Sequence, residues 1–311
     1  YEETSRADLP GRKRAAEING DFLKWVQKAP GRPFFAVLNY FDAHAPYLPP
    51  APFRGRFSAK PDPGGILNSI GDRERLTRRD EIRDESDAYD GAIAFEDDQI
   101  GHLFASLRSL QPDENTIVVI VADHGEFFGE HGQFQHGKAL FFEGIHVPLL
   151  ILWPEHLPAG VRVRAPVSIA SLPATLVQML PRQGQTEFPG PSLAALWIGG
   201  APQAEPPFLL SELLSRDPAA PGGAMLRTES LLSSRWHFLL IRGRQPQLFD
   251  WRADPRELHN LAQSKEGRQI AARMLKCIDD RFSLIRRPDC GLSATESAGM
   301  TESFSSAGPA P

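Results

Sequence analysis

Apolar residues recur at helical spacing between residues 12 and 29, where Ala16, Ile18, Phe22, Leu23, Trp25 and Val26 predict a helix that Pro30-Gly31 ends. Phe34 to Tyr40 (FFAVLNY) follows as a continuous apolar run of the kind that fills a buried strand. Residues 48 to 84 turn rich in Pro and Gly and then in charge, which predicts a cap loop with a short helix at 72 to 83. Ser86 to Leu110 has the clearest helical stripe, through Tyr89, Ile93, Ile100, Leu103, Phe104 and Leu107. Thr116 to Ala122 (TIVVIVA) is almost wholly apolar and β-branched, as suits a central parallel strand covered on both faces. Val147 to Trp153 predicts a third strand, and residues 168 to 180 a helix. Strands alternating with helices argue for an α/β layer built on a parallel sheet.

The pattern changes after about residue 205. Phe208 to Leu210, Met225 to Ser230, His237 to Ile241 and Gln247 to Phe249 are short strands, with a tight turn at Arg242-Gly243-Arg244. They predict a small antiparallel sheet, closed by a helix from about 264 to 285. Residues 288 to 311 are rich in Ser, Gly, Ala and Pro and predict a disordered tail. The expected organisation is therefore a core over 1–204 that includes the cap loop, a subdomain over 205–287, and a tail.

Composition narrows the class of function. With 34 basic and 39 acidic residues the net charge is −5, which argues against a nucleic-acid partner and leaves room for a local anion pocket. No apolar run is long enough to predict a transmembrane segment. Cys277 and Cys290 are the two cysteines, too few for a multi-cysteine metal site; free thiols and a single bridge both remain open. Tyr1 stands where Met is expected and no signal-peptide pattern follows it, so the expectation is that Tyr1 is not a natural amino terminus.

Ligands in open α/β sheets bind beyond the carboxyl ends of strands. Two polar clusters fall there: Asp42 to Tyr47 after the first apolar run, and Asp123-His124-Gly125-Glu126 after TIVVIVA. Asp123 and His124 together form half of a divalent-cation site, and Gly125 offers the backbone freedom to turn both inward. Plainer readings stand beside these: Asp123-His124 as a cap and a loop histidine, His44 as a loop histidine bonded to backbone, and Lys138 as a solvated lysine. Four of the nine histidines (His124, His131, His136 and His146) fall within 124 to 146, and that clustering favours a metal or anion site.

Longer strings carry a family resemblance. Val121 to Trp153 (VADHGEFFGEHGQFQHGKALFFEGIHVPLLILW) resembles the sulfatase branch of the alkaline phosphatase superfamily: an apolar strand, D-[HN]-G, G-E-H-G, G-K-x-x-x-[FY]-E, then a V-P-L-I strand. Pro33 to Pro50 resembles the family's histidine-bearing loop, and Tyr89 to Leu103 its Y-D-x-x-I-x-x-x-D-D-x-I-G helix. Residues 168 to 180 are similar to its D-L-x-P-T-L segment, with Ser171 where Asp is usual. Leu248 to Ala262 (LFDWRADPRELHNLA) resembles its closing strand and turn.

The resemblance implies an alkaline phosphatase-like α/β/α sandwich with an incomplete, mostly parallel sheet, and a small C-terminal antiparallel sheet and helix. It implies that Asp123 and His124 are metal ligands, that His44 binds the anion and protonates the leaving alkoxide, and that Lys138 anchors the anion or bridges it to the nucleophile. His136 is a further substrate-binding candidate. One divalent metal is implied, calcium ahead of manganese or zinc, although an imidazole ligand by itself points toward manganese or zinc. The family's nucleophile is a formylglycine made within C/S-x-P-x-R, and no Cys or Ser of this sequence stands in that pattern. The paired acidic metal ligands of the family's amino end are missing as well.

The expectation is thus a fragment, the carboxyl-side portion of a sulfuric ester hydrolase with its nucleophile upstream, inactive by itself on small-molecule or glycan sulfate esters. Two alternatives accompany it. One is a phosphonate or phosphodiester hydrolase, or a phosphoethanolamine or phosphoglycerol transferase, of the same superfamily. The other is a non-catalytic remnant that binds an anion or a partner. The resemblance favours an exported or periplasmic location.

Overall fold

The computed structural model describes residues 12–28, 30–58, 79–110, 115–180, 188, 190–197, 208–216 and 225–283. The expected tail and most of the expected 72–83 helix lie outside these residues. The chain divides into two compact units, one formed by residues up to Ile117 with Glu126–Gln135, the other by Val118–Gly125 with the residues from His136 onward.

In the first unit, α1 (Ala15–Gln27) packs on α2 (Arg79–Leu110). Phe22, Val26 and Leu103 form the seam, with Leu23, Phe34, Leu38 and Leu107 around it. Two acceptors hold the start of α1, whose first amides have no intrahelical partner. The Arg14 amide donates to Glu17 Oε2 at 3.1 Å, and the Ala15 amide to Asp42 Oδ2 at 2.8 Å. Helix α2 starts earlier than the apolar stripe predicts, because the charged segment from Arg79 continues the same turn. A two-residue hairpin, β2 (Phe127–Phe128) with β3 (Phe134–Gln135), sets Phe128 against Tyr89 of α2 and against Tyr47.

The buried strand expected at 34–40 is not formed. The segment has no ladder partners among the described residues, and Phe35 and Val37 are 81% and 77% exposed. Phe34 and Leu38 pack on the seam of α1 and α2, while Phe35, Ala36 and Val37 between them are exposed.

In the second unit, β1 (Val118–Val121) pairs with β4 (Leu149–Leu152). The pairing is antiparallel, Val118 opposite Leu152 and Val121 opposite Leu149, rather than the parallel arrangement predicted for these strands. The reason is the connection: the chain leaves the carboxyl end of β1 and returns at that same end, whereas parallel neighbours need a crossover along the strand's length. Between them lies the one-turn helix α3 (Phe142–Ile145), and after β4 comes α4 (Leu172–Met179).

The C-terminal half forms a meander of β5 (Leu209–Arg216), β6 (Met225–Leu232), β7 (Trp236–Ile241) and β8 (Gln247–Asp250), in that spatial order and antiparallel throughout. Helix α5 (Lys265–Ser283) lays Ile270, Met274 and Ile278 on one sheet face, an i, i+4, i+8 stripe against Leu231, Phe238 and Leu248. The other face carries Leu239 and Phe249 against Leu140, Phe141 and Ile145 of the loop around α3. Cys277 is disulfide-bonded, which decides between the two sequence alternatives for it.

Candidate functional site

Asp123 and His124 follow β1 directly, at the strand end where sequence reading places them. The His124 amide donates to Asp123 Oδ1 at 3.0 Å, tying the carboxylate to its own turn. His124 Nδ1 lies 2.8 Å from the Gly125 carbonyl, which accepts only if that nitrogen carries the proton. Nε2 then presents its lone pair, and it stands 3.7 Å from Asp123 Oδ1. A metal-bound histidine characteristically donates its second ring N–H to such a carbonyl. Two donors held about 2.0–2.4 Å from one ion sit roughly 3–4 Å apart, so this pair fits one edge of a coordination shell. The Asp123 side chain is 89% exposed and reachable by an ion from solvent.

His136 returns to this turn, its ring stacked on that of His124 with centroids 4.0 Å apart and planes 28° apart. Lys138, two residues on, is exposed on the same unit. Aromatic rings pin the chain beyond it. Phe141 meets Phe249 edge-on at 6.0 Å, and Phe142 stacks on Trp251 at 5.7 Å and lies against His146 at 4.6 Å.

Gly125 has a different role from the one expected. Its φ is not in the left-handed region; its requirement is space. A Cβ built there would lie 2.0 Å from the Glu143 carbonyl oxygen, and the Gly125 amide donates to Gly144 O at 2.9 Å. The Asp123–Gly125 turn is therefore seated directly on the backbone of α3.

Sequence reading missed what lies beneath α3. Ser230 of β6, His237 of β7 and Glu257 of the turn after β8 form a buried polar line. Ser230 Oγ is 2.7 Å from His237 Nε2, and His237 Nδ1 is hydrogen-bonded to Glu257 Oε1. Glu257 Oε2 accepts the Phe142 amide at 2.9 Å. Its signal in the sequence is Glu257, the glutamate of the D-P-R-E-L-H-N string.

His44 sits in the first unit. Its ring stacks on Phe41 with centroids 4.3 Å apart, and Nδ1 lies 2.7 Å from the Ala45 carbonyl. That contact again places a proton on Nδ1. Arg12, also missed from sequence, shapes this loop: its guanidinium donates to the carbonyls of His44 at 2.9 Å, Asp42 at 3.2 Å, Pro46 at 3.4 Å and Phe41. Beneath the loop, Glu96 Oε1 accepts the Ala43 amide at 2.9 Å. Burial pushes the carboxyls of Asp42 and Glu96 above the usual range, against the pull of backbone hydrogen bonds and of Arg12. Tyr47, three residues after His44, donates to Glu126 Oε2 at 2.8 Å, and burial raises its phenol well above the usual value.

Comparison with known proteins gives one answer for family and fold. Residues 15–181, more than half of the chain, match the sulfatase family. A stretch of 191 residues is 30% identical to arylsulfatase K of Mus musculus, covering 58% of this chain and 33% of that protein. The sulfatase YidJ of Escherichia coli (strain K12) is 25% identical over 290 residues, 86% of this chain and 54% of that one. Among solved structures, the phosphonate monoester hydrolase of Agrobacterium radiobacter shares the fold with a TM-score of 0.72 at 22% identity, covering 86% of this chain and 60% of that one. The matched regions thus span from a third to about half the length of these curated relatives.

Proposed function

Because the chain belongs to the sulfatase family, we propose that it carries cation- and anion-binding residues of a hydrolase acting on sulfate monoesters. The observation that carries this reading is the Asp123–His124 edge, with Nδ1 of the histidine fixed by the Gly125 carbonyl and Nε2 presented 3.7 Å from Oδ1. A divalent cation bound there, calcium by family resemblance, would neutralise charge on the ester's non-bridging oxygens. Lys138 would hold the same anion through its ammonium group, with His136 beside His124 as a further donor. His44, with Nδ1 engaged at Ala45 O, would in its imidazolium form give the Nε2 proton to the departing alkoxide. The nucleophile, a formylglycine in the sulfatase pattern, would come from sequence outside these 311 residues, because none of them stands in C/S-x-P-x-R.

The test is hydrolysis of an aryl sulfate and of an aryl phosphonate monoester. Measured on this chain alone, and on a longer product of its gene that includes a C/S-x-P-x-R segment, the assay should show no turnover for the first. The second should turn over the sulfate ester, and Lys138→Ala or His44→Ala should lower that rate at least about 100-fold, the scale of one lost proton donor or charge clamp. Turnover by the chain alone would overturn the assignment of the nucleophile. Preference for the phosphonate ester would move the chemistry to the other branch of the superfamily.

A further inference from the structure

We propose that Glu257 is a positioning residue for the Asp123–His124 turn, acting through the first amide of α3 and itself oriented by His237. Ser230, His237 and Glu257 have the contact order of a nucleophile, a base and an orienting acid. They are not a reaction centre, because all three are almost wholly inaccessible, and a nucleophile must touch its substrate. Their connections assign another task. His237 holds Oε1, so Oε2 points at the Phe142 amide. Glu257 adopts a left-handed φ of +52°, a conformation that a glutamate keeps only when its surroundings fix it.

From Phe142 the path to the turn is short and stiff. Glu143 O stands against the Gly125 Cα with no room for a methyl group, and Gly144 O accepts the Gly125 amide at 2.9 Å. The Gly125 carbonyl in turn holds His124 Nδ1 at 2.8 Å. Loosening α3 therefore releases the group that sets the His124 tautomer and its facing. All of these residues belong to one compact unit. The link to a cation rests on the proposed function; the link from Glu257 to the turn does not.

Hydrogen exchange on the full chain separates the two. Glu257→Ala should speed exchange about 10- to 100-fold in peptides covering 120–127 and 140–147, the effect of losing one charge-assisted bond to a partly buried amide. Glu257→Gln should restore near wild-type exchange, because its carbonyl oxygen still accepts from Phe142 while its amide donates to His237 in the other tautomer. Ser230→Ala should lower the melting temperature yet leave exchange at 120–127 unchanged, a split that general destabilisation would not produce. Calcium titration of the same proteins should then show a loss of about 10- to 100-fold for Glu257→Ala and none for Glu257→Gln. Unchanged exchange at 120–127 in Glu257→Ala, or an equal rise in Ser230→Ala, overturns the proposal. If Glu257→Ala does not fold, Glu257→Asp decides in its place: faster exchange at 120–127 supports the proposal, and wild-type exchange there overturns it. If exchange responds while the wild-type chain takes up no calcium, the positioning stands and the cation assignment fails.

Discussion

Replacing Gly125 by alanine places a methyl group where the Glu143 carbonyl oxygen already stands. The built Cβ lies 2.0 Å from that oxygen, and ordinary contact begins at 3.4 Å, so the two backbones must separate by about 1.4 Å. Neither side yields easily, since the obstacle is backbone rather than the end of a flexible side chain. The separation also breaks the 2.9 Å bond from the Gly125 amide to Gly144 O. Overpacking of this kind costs about 1–3 kcal/mol and a lost internal hydrogen bond about 0.5–1.5 kcal/mol, giving a loss of roughly 2–4 kcal/mol. Denaturant unfolding of the wild-type and Gly125→Ala proteins, followed by tryptophan fluorescence, reads that loss as a shifted midpoint. Calcium affinity should fall about 10- to 100-fold in parallel, as when the support of a ligand is displaced. A variant with an unchanged midpoint would refute the close approach as the reason for glycine here.

Further expectations concern the loop that carries His44. Arg12→Lys should destabilise the first unit nearly as much as Arg12→Ala, since one ammonium group cannot serve the carbonyls that the planar guanidinium spans; rescue by lysine in a thermal melt would contradict this. Tyr47→Phe removes the hydroxyl that donates to Glu126 and should cost about 1–3 kcal/mol, read from the same melts; a neutral substitution would show the bond to be dispensable. The carboxyls of Asp42 and Glu96 titrate above their ordinary range because burial disfavours the charge. The folded state therefore binds these protons more tightly than the unfolded chain. The resulting stabilisation is complete below the unfolded pKa of about 4 and is lost as pH rises through the raised values. Glu96→Gln, whose amide oxygen still accepts from Ala43, should lose less stability than wild type between pH 4 and 7; parallel curves would contradict the assignment.

Local periodicity made the helices and the C-terminal meander legible. The Phe22–Val26 face and the Met274–Ile278 stripe announce themselves by spacing, and the strands of the meander fall between turn residues. Apolar runs were less informative about partners. FFAVLNY has the composition of a covered strand, yet which face is covered depends on neighbours that composition does not encode. The Asp123–His124 turn was visible as a string. Its tautomer and support were not, because they come from a backbone carbonyl and from Glu257, 115 residues away from its partner Phe142. Gly125 shows the same limit: glycine marks the position, but only the Glu143 carbonyl shows that the reason is space rather than φ.

Calcium titration of the 311-residue protein beside Asp123→Ala and His124→Ala bears most directly on the proposed site. The geometry of one carboxylate oxygen and one imidazole nitrogen 3.7 Å apart predicts a single weak site that either substitution abolishes. Calcium uptake that persists unchanged in both variants would contradict it.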